Sequence, residues 1–168
     1  MSVHKKRKNI SNGETSTLDG QRISKNNDLI HLIGTADELN SHLGLVKAMY
    51  DGKETKQFIE KIQKDIMKLM SHVSDLKNEN YFFSKGDTDV FEKEIDSLSA
   101  GQRNLNQFVL PGSSAMEAQI HITRTIARRT ERLFYALDDR QMLCQYAGAY
   151  LNKLSDYLFV LSQHKNLF

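Results

Sequence analysis

The chain has 168 residues, a formal net charge of +2, one cysteine, one proline and nine glycines. That length suits a single domain, residues 1–168, able to bury roughly 70% of its unfolded surface without a metal or disulfide staple. The weak charge speaks against nucleic acid as a partner, and no run reaches the ~18 apolar residues of a membrane span. No signal-peptide core opens the chain, and the lone Cys144 excludes an internal disulfide, so the expected compartment is the reducing cytoplasm.

Residues 1–27 form a polar, aperiodic arm. Its basic cluster Lys5–Lys8 reads as solvated. Asn12–Gly20 reads as a loop, ordered or flexible, whose hydroxyls and glycines could offer donors to a phosphate. Residues 28–168 read as a helical bundle, with no strand-like alternation anywhere. Leu29, Leu32, Ala36, Leu39, Leu43 and Val46 recur every three or four residues, the seam of a first helix. Asn27 or Asp28 can cap its start, and Asp51-Gly52 is expected to close it with the glycine stop. Asp37 and Glu38 ride on this helix; an ion pair to the basic helix is the economical reading, costing roughly 3–5 kcal/mol to break if buried.

A second helix carries Ile59, Ile62, Ile66, Leu69, Val73 and Leu76. The aromatic run Tyr81-Phe82-Phe83 then reads as packing at the bundle end. A third helix carries Phe91, Ile95 and Leu98 and is extended to Leu105. Phe108–Gly112 is an extended link in which Pro111 keeps Leu110 out of helical geometry and opens the next element.

The fourth helix, from about Ser113 to Leu137, breaks the pattern. Within Gln119–Arg132 four arginines stand against a single glutamate, Glu131. Arg124, Arg128 and Arg132 follow at i, i+4 and i+8, so their side chains stack along one face with His121 near the same line. Guanidinium groups present forks suited to carboxylate or phosphate oxygens, and three in a row suit a multiply charged anion. Thr123 and Thr130 interrupt the apolar seam. The last helix restores it with Cys144, Ala147, Leu151, Leu154, Leu158 and Leu161, beside a polar strip of Asn152, Ser155 and Asp156. The expected fold is all-α, an up-and-down bundle of up to five helices, preceded by a loop segment.

Several chemistries are excluded. The histidines form no HExxH pair or Cys/His cluster, so no protein metal site is expected. GxxxxGK[ST], GxGxxG and GxSxG are absent, so a nucleotide would be held without a P-loop or Rossmann turn. Where every other helix keeps a clean seam, the one that departs from it is the candidate site.

Four segments together, ISKNNDLIHLIGTADELNSHLG (23–44), FVLPGSS (108–114), IHITRTIARRTERL (120–133) and YLNKLSDYLFVL (150–161), resemble the PduO-type ATP:cob(I)alamin adenosyltransferases. The resemblance implies a five-helix bundle assembled as a homotrimer with active sites between subunits. It implies transfer of the 5′-deoxyadenosyl group of ATP to reduced cobalamin, with magnesium assisting and triphosphate leaving. Carried over by position, Arg128 and Arg132 match ATP-binding arginines, with Arg129 and Glu131 in the same segment. Asn152 matches a nucleotide-contacting asparagine, Lys25 ends the N-terminal loop, and Thr15 and Ser16 fall on its hydroxyl positions. Phe108 matches the aromatic facing the corrin and, with Arg128, would carry catalysis. Asp37 and Arg124 match a salt bridge between neighbouring subunits.

The chain departs from the family where its N-terminal loop has Asn9-Ile10-Ser11 in place of T-G-D, and where Ser113 replaces the second glycine of PGG. The first departure supports an alternative, a non-catalytic paralogue that binds cobalamin or nucleotide. A helical module binding another anion, such as nucleic acid, is a third reading, disfavoured because the basic residues are so localised.

Overall fold

The computed structural model describes residues 12–100, 109–137 and 145–164. Five helices dominate: α1 (Asp28–Met49), α2 (Lys53–Ser74), α3 (Lys85–Ser99), α4 (Ala115–Ala136) and α5 (Gln145–Ser162). Helix α1 packs on α2 and α4, while α5 packs on α4 and α3, so the order across the bundle is α2, α1, α4, α5, α3. Phe58 of α2 meets Phe91 of α3 edge to face at 5.5 Å and completes the ring. The expected extension of α3 to Leu105, Cys144, and the substituted stretch Asn9-Ile10-Ser11 lie outside the described residues.

The heptad-like seams become the core. Leu32, Leu39, Leu43, Ile59, Ile62, Ile66, Leu151, Leu154 and Leu158 are all fully buried. At about 25 cal/mol per Å² of apolar surface removed from water, such stripes supply the main stabilisation of helices that would be marginal alone. Caps fix the register. Asn27 accepts from Leu29 N–H at 2.9 Å to start α1. Ser84 and Asp87 form a reciprocal capping box on α3. Of the aromatic run, Phe83 is buried against Tyr150, whereas Phe82 is half exposed with its ring edge-on to His72.

Two expectations need correction. Glu14–Ser16 (β1) and Arg22–Ser24 (β2) pair antiparallel, Thr15 opposite Ile23, so the arm contains a small hairpin where no strand was expected. Three-residue strands with mostly exposed side chains leave too little alternation to detect. Gly52 is also not the stop of α1. That helix ends at Tyr50 in extended geometry, and Gly52 has φ −71° as the N-cap of α2. Glycine is needed there for space: a Cβ would lie 2.9 Å from the Tyr50 ring.

Candidate active site

The arginine helix begins at a built corner. Gly112 has φ +121°, a conformation that favours glycine. The turn points two backbone N–H groups, Gly112 at 2.7 Å and Ser113 at 3.2 Å, at Oε2 of Glu117. Ser114 caps the helix by accepting from the Glu117 N–H at 3.1 Å. No non-glycine residue among those described has positive φ, so serine at 113 is accommodated without strain. Glu117 itself is fully buried, and its Oε1 lies 2.9 Å from Nε2 of His121. Two backbone donors on Oε2 and the positive end of α4 compensate the buried carboxylate, while Oε1 and the imidazole Nε2 touch without an aligned hydrogen bond. Sequence reasoning overlooked Glu117. Its signal was the S-x-x-E spacing of Ser114 and Glu117, the signature of a helix start.

Beyond the corner, the line of basic side chains emerges as expected. Arg124 is partly buried and donates from Nε to Nδ1 of His121 at 3.4 Å, with its guanidinium 6.0 Å from the Phe159 ring centroid. Burial, and then the charge of Arg128, hold the Arg124 pKa below its usual range. Arg128 and Arg132 are exposed. Across the groove on α5, Asn152 donates to Oε1 of Glu131 at 3.0 Å. Asp156 lies beside them; burial pushes its carboxyl pKa up, and Glu131 adds to that while Lys153 and Arg128 oppose it. The seam-breaking threonines are buried and satisfied, Thr123 donating to Gln119 C=O and Thr130 to Ile126 C=O one turn back. A ridge of cations with mixed polar neighbours thus runs along the α4–α5 groove, suited to an anion carrying several charges.

Arg129 stands apart from this ridge. It pairs with Glu38 of α1, which is the helix-to-helix ion pair expected from sequence, and both side chains are about half exposed (47% and 46%). A pair so wet contributes about 0–1 kcal/mol, not the 3–5 kcal/mol of a buried one. A double-mutant cycle of Glu38→Ala and Arg129→Ala in urea should therefore return a coupling within about 1 kcal/mol. A coupling several times larger would show that the pair is shielded from water.

The N-terminal residues form a second cluster. Thr15, Ser16 and Lys25, on the hairpin and just after it, line a hollow of about 560 Å³ whose floor is Ile30, Ile33 and Gly34 of α1. Lys25 N–H donates to Gly13 C=O at 2.7 Å and closes the hairpin onto this hollow. Gly34 leaves it open, because nothing lies within 4 Å of where a Cβ would stand.

Hollow and ridge lie on different flanks. His42 of α1 is hydrogen-bonded to Gln119 of α4 at 2.8 Å, marking where these helices touch. Ile33 lies nine residues from His42, and Arg128 nine from Gln119. At 3.6 residues per turn each interval is half a revolution. Ile33 of the hollow therefore points away from the His42–Gln119 contact on α1, and Arg128 of the ridge points away from it on α4. Asp37, one turn after Ile33, is exposed on the hollow's flank, and no ion pair joins it to Arg124 within the chain. Phe108 lies outside the described residues; the described chain resumes at Val109. Among the described residues no helix is long and apolar enough to cross a membrane.

Comparison with known proteins bears on the whole chain. The cobalamin adenosyltransferase family model matches residues 8–165. A corrinoid adenosyltransferase of Citrobacter freundii is 33% identical over 156 residues, covering 90% of this chain and 89% of the relative. A cobalamin adenosyltransferase of Cupriavidus metallidurans is 36% identical over 156 residues, covering 92% and 83%. Among solved structures, a single-residue variant of a PduO-type ATP:corrinoid adenosyltransferase from Lactobacillus reuteri, complexed with cobalamin and ATP, superposes with a TM-score of 0.83. It is 26% identical and covers 92% of this chain and 88% of that one. The seams, the N-terminal hollow and the arginine ridge all fall inside the matched span, and this chain belongs to the cobalamin adenosyltransferase family.

Proposed function

We propose that the protein is a corrinoid adenosyltransferase that moves the 5′-deoxyadenosyl group of ATP to cob(I)alamin and releases triphosphate. The observation that carries this is the ridge of Arg124, Arg128 and Arg132 facing Asn152 across the α4–α5 groove, in a chain of this family. In the reaction the cobalt(I) of the substrate supplies the electron pair. The cobalt–carbon bond forms as the bond between C5′ and its oxygen breaks, and both bonding electrons leave with triphosphate. The chain then needs no nucleophile of its own. Its task is to hold the leaving group, neutralise the charge that builds there and align the attack, and that is positioning with fixed dipoles.

Arg128 and Arg132 are assigned to the triphosphate, with Arg129 and Glu131 flanking and Asn152 holding the nucleoside. Thr15, Ser16 and Lys25 are assigned to the other side of the nucleotide, and Phe108 to the corrin face. Magnesium would travel with the triphosphate of ATP and offset part of its charge beside Arg128 and Arg132. The reduced corrinoid places the reaction in the cytoplasm.

The opposed placement of hollow and ridge supports a site shared between copies. One chain cannot bring Thr15 and Arg128 to the same nucleotide, but the hollow of one copy laid on the ridge of the next can. That docking also brings Asp37, on the hollow's flank, toward Arg124 on the ridge. Repeated head to tail, such a heterologous contact closes into a ring, here the homotrimer. Gly34→Val tests the hollow. A Cβ there meets no atom within 4 Å among the described residues, and valine improves helix propensity, so the fold should hold. ATP affinity should nevertheless fall by about tenfold, the size of one misplaced contact. Calorimetry returning wild-type affinity would remove the hollow from the site.

The deciding experiment is an anaerobic assay with ATP, magnesium and chemically reduced cobalamin. The proposal expects the spectrum of adenosylcobalamin to appear. Tight binding of both ligands without product would select a binding paralogue instead.

A further inference from the structure

We propose that Glu117 is a positioning residue that couples the turn entering α4 to the arginine ridge through the tautomer of His121. The inference rests on the reading of the groove given above. The chain has a hydrogen bond at each end and, between Glu117 Oε1 and His121 Nε2, a short contact without an aligned hydrogen bond. A carboxylate only accepts. Its Oε2 takes the N–H groups of Gly112 at 2.7 Å and Ser113 at 3.2 Å, and its Oε1 faces His121 Nε2 at 2.9 Å. Nδ1 of His121 accepts from Arg124 Nε at 3.4 Å, so the proton of the neutral ring sits on Nε2, the nitrogen turned toward the Glu117 carboxylate. Burial works in the same direction by favouring the neutral ring, for His121 is held below the ordinary imidazole pKa, chiefly by desolvation.

One fully buried carboxylate thus holds both ends. On one side is the turn at Gly112, four residues along the sequence from Phe108, the residue assigned to the corrin. On the other is the first guanidinium of the ridge assigned to the nucleotide and the neighbouring copy. With its Nε committed to His121, Arg124 keeps its terminal nitrogens for the groove. Movement at either end is felt at the other through two side chains.

Glu117→Gln separates this role from simple packing, because it keeps the shape and removes one acceptor. If the amide nitrogen faces His121, the ring must accept at Nε2 and carry its proton on Nδ1, where it confronts the Arg124 N–H. If the amide turns over, its nitrogen confronts the N–H groups of Gly112 and Ser113. Either orientation breaks one end. The variant should stay helical, while kcat/KM falls by roughly tenfold to a hundredfold, the cost of a misplaced reacting group. On a His121→Leu background the same substitution should lose most of that effect.

A second readout does not depend on activity. Side-chain ¹⁵N spectra of the histidines, with His121 assigned from the His121→Leu variant, should show the neutral Nε2–H form in the wild type. That signature should change in Glu117→Gln if the amide nitrogen faces the ring. Wild-type turnover in Glu117→Gln, additive losses in the double variant, or an Nδ1–H form of His121 in the wild type would each overturn the inference. An inactive wild type would instead count against the proposed function, and the spectra would still decide the hydrogen-bond chain.

Discussion

Arg128→Ala lowers adenosyl transfer by about 10²- to 10³-fold, the loss seen when one group stabilising a developing charge is removed, and leaves the bundle folded. The two halves of this expectation have separate causes. Arg128 is exposed on α4, away from the buried face of Ile120, Ala127 and Phe134, so its removal should change stability by no more than about 0.5 kcal/mol. Its charge, however, lies in the middle of the ridge. It is felt by Arg124 on one side and by Asp156 on the other. On the proposed reading, the triphosphate without it would lose its central cation as negative charge accumulates on the leaving oxygen. Arg128→Lys should fall in between, keeping the charge and losing the two-pronged fork. Steady-state kinetics beside a thermal melt checks both halves. Unchanged kcat/KM would remove Arg128 from the site.

Phe91→Ala should destabilise the fold by about 3–5 kcal/mol. Phe91 is fully buried and meets the rings of Phe58, Tyr150 and Tyr157 at 5.5, 5.0 and 6.0 Å. It is the hub through which α2, α3 and α5 close on one another. Truncation removes the transfer energy of the ring and leaves a cavity that three further aromatic rings cannot collapse to fill. The same rings orient Tyr150, whose hydroxyl donates to Asp65 at 2.8 Å and which belongs to the helix that presents Asn152. Denaturant melts that show a loss below 1 kcal/mol would mean that the aromatic cluster repacks around the gap.

The helices were legible because burial repeats with the helical period. Leu39, Leu43 and Val46, or Leu151, Leu154 and Leu158, announce their face in the order of residues alone. The ridge was legible for the same reason, since Arg124, Arg128 and Arg132 can only line up if α4 is a helix. What escaped depends on neighbours far apart in sequence or on single hydrogen bonds. Gly52 looked like a helix stop, but the reason for glycine is the Tyr50 ring against it. The hairpin Glu14–Ser16 with Arg22–Ser24 is too short to show alternation. Glu117 was overlooked in the sequence, and only the turn at Gly112 and the imidazole of His121 reveal it as a buried junction. Arg129 adjoins Arg128 in sequence, yet 100° of helical rotation carries it toward Glu38.

The opposed flanks of α1 and α4 turn a list of matched residues into a geometric requirement. On the proposed reading neither the hollow nor the ridge makes a complete nucleotide site, because the two lie on different flanks of one chain. Catalysis by this protein is therefore expected to depend on its assembly, and dilution below the dissociation constant of the assembly should abolish turnover before it unfolds the bundle.

The central claim is that the α4 cations grip the polyphosphate end of ATP. The most direct measurement is a crystal structure of the assembled protein with ATP and magnesium. The account predicts phosphate oxygens within hydrogen-bond distance of Arg128 and Arg132, and Thr15, Ser16 and Lys25 of a neighbouring copy on the same nucleotide. A nucleotide bound elsewhere, with both guanidinium groups turned to solvent, would contradict it.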